Sequence, residues 1–235
     1  MQLNDLFHML AYGELSNHHI ASAGDGTLAL AKQPQIVHFC NEGLMRLYTK
    51  FLLKEKDCII EMVDGVTLYH LLPEYSAVGF DSTVANYPYI RDTCFNRFIN
   101  DVIKVLSVQN ANGEHRPLND PNNFWSVNTP TPKTIQVTAP RLGEVLSVSY
   151  QASHPKLENT ELGHKTIELP ETLHGALAAF VAYKVYFNMN TPESQAIALG
   201  HLAMFDNICN DTTEADALNL SISIANTRFT SRGWK

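Results

Sequence analysis

Residues 170–211 hold the feature that most restricts the fold: two helical patterns joined by a turn too short to let them separate. In "LPETLHGALAAFVAYKVYF", Leu173, Ala176, Leu177, Phe180, Val181 and Val185 recur at three- and four-residue spacing, the repeat of one helical face. The alanines of this stretch let a second helix approach closely. Asn188, Met189 and Asn190 make a turn, and Thr191-Pro192 supplies an N-cap followed by the residue best suited to the first helical position. A second stripe then runs through Ile197, Gly200, His201, Met204, Phe205 and Ile208, so the pair is expected as an antiparallel helical hairpin.

Near the other end, "PQIVHFCNEGLMRLYTKFLL" at 34–53 places Ile36, Phe39, Cys40, Gly43, Leu44, Leu47 and Phe51 on one helical face. Between these helices the period changes to two. In "VLSVSYQASHPKL" at 145–157, Leu146, Val148, Tyr150 and Ala152 alternate with Ser147, Ser149 and Gln151. That is a strand with one covered face and a polar face left to water or a partner, ended by His154-Pro155 because proline has no N–H to donate.

"DCIIEMVDGVTLYHLL" has two apolar runs around Asp64-Gly65 and predicts a hairpin. Phe95, Phe98, Ile99 and Val102 suggest a short helix, and "VIKVLSVQ" a strand ending at Gln109. Residues 110–134, rich in Asn, Pro and Gly, read as turns around short irregular strands, with "TIQVTA" a further strand. The fold class is therefore α+β. Residues 1–56 and 170–211 are expected to form a discontinuous helical bundle. A β-rich insertion with one short helix occupies 57–169, and an extended tail 212–235.

Charge and chemistry narrow the function. Seventeen basic against twenty-four acidic residues give −7, which argues against a surface built to neutralise nucleic-acid phosphates. No run reaches the ~18 apolar residues of a membrane span, and "MQLNDLFHML" has no basic region leading into an apolar block. No membrane contact and assembly in the host cytoplasm are the corresponding expectations. Cys40, Cys58, Cys94 and Cys209 lack metal-ligand spacing and read as reduced, buried thiols. His18-His19 reads as part of a polar loop, and the carboxylates of "NDTTEAD" lack the spacing of a calcium loop. No nucleophile, zinc, nucleotide or dinucleotide motif is present, so no catalytic residue, metal or cofactor is assigned. The enzymatic alternative is a hydrolase or lyase built on His154 or His174 with nearby carboxylates such as Glu171; His164 also lies near that helix start.

The order of these segments resembles a known family. "LNDLFHML…GELSN", "LYTKFLLKEK" with the expected hairpin after it, "VSYQASHPKL", "LPETLHGALAAFVAYKVYFNMNTPE" and "RFTSRGWK" together resemble the head-to-tail adaptor, or tail tubular adaptor, proteins of short-tailed bacteriophages. The resemblance implies a non-enzymatic virion protein of the neck or tail, forming a ring of about twelve copies between the portal protein and the tail tube or nozzle protein. DNA would only pass through its lumen, which an acidic chain suits. Another tail or nozzle completion protein is the alternative within the same class. Residues 110–133 match nothing in the family pattern. In the tail, Arg228, Phe229, Arg232 and Trp234 are the candidate partner-binding anchors, because aromatic and arginine side chains supply the energy when a segment orders on a partner.

Overall fold

The computed structural model describes residues 1–21, 26–80, 82–83, 87–92, 97–158, 165–215 and 217–218. The chain divides into two compact units, one made of Met1–Cys40 with Glu158–Lys235, the other of Asn41–Leu157. Helices and antiparallel sheets together make it α+β.

In the first unit, α1 (Leu3–Tyr12) is opened by a capping box between Gln2 and Asp5. The chain just before α1 is tied to the segment around residue 166: Leu3 N–H donates to Lys165 carbonyl at 3.0 Å and Ile167 N–H to Met1 carbonyl at 2.8 Å. α2 (Gln33–Lys50) starts here and runs into the second unit. Its expected face, from Ile36 to Phe51, is buried.

α3 (His174–Phe187) and α4 (Pro192–Glu214) form the helical hairpin. The Thr191 hydroxyl accepts from Ser194 N–H at 3.2 Å, and Asn190 takes a positive φ of 55° to turn the chain. Phe180 stacks against Phe205 with ring centroids 5.5 Å apart, and Tyr186 lies parallel to His201 at the same spacing. Because residue numbers rise along one helix as they fall along the other, these contacts make the pair antiparallel.

Two details of the hairpin differ from the sequence reading. α3 is buried on all sides from Ala176 to Ala182, so its single stripe understates its cover. In α4 the covered face is Ser194, Ala198, Phe205, Cys209 and Thr212, whereas Ile197, Gly200 and Met204 face solvent. The helix carries apolar residues on two faces, and its small residues Ser194, Ala198, Cys209 and Thr212 are on the covered one. α4 also continues to Glu214, three residues past the boundary expected at 211.

The second unit contains two antiparallel sheets. β1 (Glu55–Glu61), β3 (Ile90–Arg91), β4 (Val102–Asn110), β5 (His115–Arg116) and β8 (Val145–Ala152) form one, in the order β3-β1-β8-β4-β5. β2 (Leu68–His70), β6 (Val127–Thr131) and β7 (Thr134–Val137) form the other, in the order β2-β7-β6. Ile60, Leu146, Val148 and Tyr150 from the first sheet share a core with Tyr69, Val127 and Ile135 from the second.

The hairpin expected around Asp64-Gly65 does not form. Gly65 makes the turn with φ 72°, but β1 pairs with β8 and β3, and β2 pairs with β7. The chain crosses between sheets at this turn, so the local signal was correct for the bend and silent on the partner. The short helix expected from Phe95 is absent where it can be seen: residues 97–101 are irregular, Asn100 has φ 63°, and Val102 opens β4. Phe95 itself lies outside the described residues, as do Cys94, His164 and the "LSISIA" segment.

Candidate assembly surface

β8 presents its covered face as expected, with Leu146, Val148, Tyr150 and Ala152 buried. The opposite face is not uniformly wet. Gln151 is buried and donates from Nε2 to the carbonyls of Tyr48 and Phe51, at 3.0 Å for Phe51, which satisfies carbonyls at the C-terminal end of α2. Ser149 hydroxyl donates to the Asp57 carboxylate, and Ser147 and Ser149 are half-buried.

The histidines of the hydrolytic alternative find local backbone and ring partners. His154 meets the Tyr48 ring edge-on at 5.5 Å. The His174 ring nitrogen lies 3.1 Å from the Leu169 carbonyl, not on Glu171. A cavity of about 360 Å³ in the second unit is lined by Asp57, Arg91, Asp92, Arg97, Phe98 and Tyr150 among others, with no histidine. Asp92 is already used: burial works against its charge, but the N–H groups of Val78 and Phe98 and the Ser76 hydroxyl outweigh this and hold its carboxyl below the ordinary value. It ties a loop. Among the described residues no group of three or more His, Cys, Asp or Glu is arranged to hold a metal ion, and no helix is long and apolar enough to cross a membrane.

Cys40, Cys58 and Cys209 are buried and joined in no disulfide, and burial pushes the Cys40 and Cys58 thiols up to about 12. Those two thiols are protonated, unreactive core side chains.

His18 departs from the polar-loop reading. It is 7% exposed, its Nδ1 accepts from Ile20 N–H at 3.2 Å, and its Nε2 faces Met189 Sδ at 3.1 Å. Its ring sits edge-on to Tyr186, whose other neighbour is the stacked His201. Short-range sequence patterns carry no trace of this cluster, because its members come from three distant segments.

The exposed apolar side chains suggest where partners attach. In the second unit Phe124 is 63% and Trp125 47% exposed, edge to face at 5.4 Å. The guanidinium groups of Arg116 and Arg141 lie 5.7 and 5.5 Å from the Trp125 ring centre. In the first unit Ile197 and Met204 stand out on the solvent side of α4. The adjacent aromatics of 110–133 were the one available sequence signal, obscured by the turn-rich composition around them. The proposed anchors Arg228, Phe229, Arg232 and Trp234 lie outside the described residues.

Exposed apolar side chains such as Phe124, Trp125, Ile197 and Met204 are the kind that contact surfaces use. In a comparison with protein families, the SU10 adaptor protein family matches residues 10–226. The chain belongs to the SU10 adaptor protein family. Members of the SU10 adaptor family are phage structural proteins, so this adaptor is a component of the virion neck or tail that works by contact with other head and tail proteins. No curated protein matches the adaptor's sequence.

Proposed function

We propose that the protein is the head-to-tail adaptor of a short-tailed phage, forming a ring of about twelve copies between the portal and the tail tube or nozzle, with DNA passing through the lumen. The observation that carries this reading is the family match over residues 10–226, which spans both units of the chain. The charge of −7 supports it, because a conduit must repel phosphates enough to let DNA slide. The tail from residue 212 would attach to the portal or to a neighbouring subunit through Arg228, Phe229, Arg232 and Trp234. Free protein would be mostly monomeric at micromolar concentration, since a net like charge opposes association until a template concentrates the copies.

Imaging purified portal rings mixed with the protein tests the assignment. Added density of one subunit per portal subunit, on the tail-facing side, is the expected result. A portal ring that stays bare, with the protein found instead at the distal end of assembled tails, would replace this reading with that of a nozzle completion protein.

A further inference from the structure

We infer that the chain carries two complementary surfaces for a second copy of itself: an aromatic–arginine tip at Phe124-Trp125, and the solvent-facing seam of α4 on which the tip of the next copy seats. This rests on the ring reading above and names the contact between subunits.

The tip is preorganised. Trp125 N–H donates to Asn123 Oδ1 and Asp120 N–H to Ser126 Oγ, both at 2.9 Å, so side chains fix the backbone that presents the two rings. Its charge is partly uncompensated. Arg116 is held by Glu144, but Arg141 meets no carboxylate among the described residues. Leu142, next in sequence, is 75% exposed. Asp120, in the same loop, turns its carboxylate back to accept Asn122 N–H at 3.0 Å, so the tip is apolar and rigid and Arg141 is the cation it offers a partner.

The α4 seam has the opposite character. Its 23 residues include Glu193, Asp206, Asp211 and Glu214 but no lysine or arginine. Spacings of four, three, four and then seven residues, two turns, align Glu193, Ile197, Gly200, Met204 and Asp211 along one line of the helix, all exposed. Ile197 and Met204 are about 10 Å apart along the axis at 1.5 Å per residue, the reach of two adjacent aromatic rings. Between them Gly200 leaves a shallow gap, with no atom within 4 Å of where a Cβ would stand. A carboxylate at each end faces the charge that an arginine-bearing partner brings.

Copies of a chain with net charge −7 repel one another except where a positive patch meets a negative one, so this pairing is favoured over tip–tip or seam–seam contact. Because the two surfaces differ, the contact is head-to-tail, the type that generates closed rings or open filaments instead of two-fold dimers.

Sedimentation of the full chain tests this. The unmodified protein should show concentration-dependent growth up to about 0.5 mM in low salt, reversed by added salt. F124S/W125S and I197K/M204K should each remain monomeric with unchanged melting, since the altered residues are exposed. Mixed in equal amounts they should form dimers and nothing larger, because each variant retains the half that the other lacks. If one pair lowers the melting temperature, R141E replaces the tip variant and should weaken growth about tenfold. Growth of either variant like the unmodified chain, a mixture that stays monomeric, or an unmodified chain that stays monomeric throughout would each overturn the inference. Portal binding separates this from the broader assignment: a chain that decorates portal rings but fails these tests remains an adaptor with another subunit contact.

Discussion

Lys56 Nζ lies 2.6 Å from Asp101 Oδ2, and the carboxylate's other oxygen accepts the Tyr150 hydroxyl at 3.1 Å. Asp101 is only 7% exposed, so β1 and β8 supply the two groups that keep a buried charge satisfied at the start of β4. Burial, and then the neighbouring Asp101 charge, push the Tyr150 phenol above its ordinary value, which keeps it a donor.

Replacing Lys56 with methionine should destabilise the protein by about 1–3 kcal/mol, because the carboxylate loses its cation while remaining out of water. Tyr150→Phe should cost about 1–2 kcal/mol. Chemical denaturation of both variants checks the claim; a Lys56→Met protein as stable as the parent would mean that Asp101 is hydrated.

Phe180→Ala should cost about 3–5 kcal/mol, since the ring is buried against Phe205 at the centre of the helical hairpin. His174→Ala should cost less than about 1 kcal/mol, because that half-buried ring has one backbone contact at the edge of α3. Thermal melting of the two variants ranks them, and equal losses would contradict the burial difference.

The hairpin was legible from residues 170–211 because its period, its N-cap and its proline all give the same local signal. What escaped was the rotation of α4. Apolar residues occupy two of its faces, and only the neighbour decides which is inner. The β1–β2 turn failed in a similar way, since Asp64-Gly65 specifies a bend but not which strands pair. Gln151 read as a wet residue by alternation, yet the end of α2 provides the carbonyls that let it be buried. Long-range partners also hid His18, whose neighbours Tyr186 and Met189 are far away in sequence. The family resemblance was carried by segment order; the exposed tip at Phe124 lay in the one stretch that matched nothing.

Acid should weaken the first unit. Burial, with His19 and Lys32 second, lowers the affinity of His18 for a proton; burial does the same at His201, against a smaller opposing pull from Glu14. Both folded values lie below the unfolded value of 6.5, so the unfolded chain binds more protons once the pH drops past that point. Stability is then full above 6.5 and declines below it. Melting temperatures between about pH 7.5 and 5.5 should fall, and fall less in His18→Gln; a flat profile in the parent would refute the burial argument.

Deleting residues 226–235 should leave the melting temperature unchanged while abolishing attachment to portal rings, if Arg228, Phe229, Arg232 and Trp234 anchor the chain. Pelleting with portal rings measures this directly. Undiminished attachment of the shortened protein would remove those residues from the binding surface.

Asn41 and Leu157 are the first and last residues of the second unit, and they are bonded to each other twice: Asn41 Nδ2 donates to the Leu157 carbonyl at 2.9 Å and Leu157 N–H to Asn41 Oδ1 at 2.8 Å. A stretch of sequence that leaves and returns at a clasped point behaves as a cassette. Its loops can lengthen while the bonded ends stay together. A chain built on this plan can change the partners it meets through one part while the other keeps its own packing.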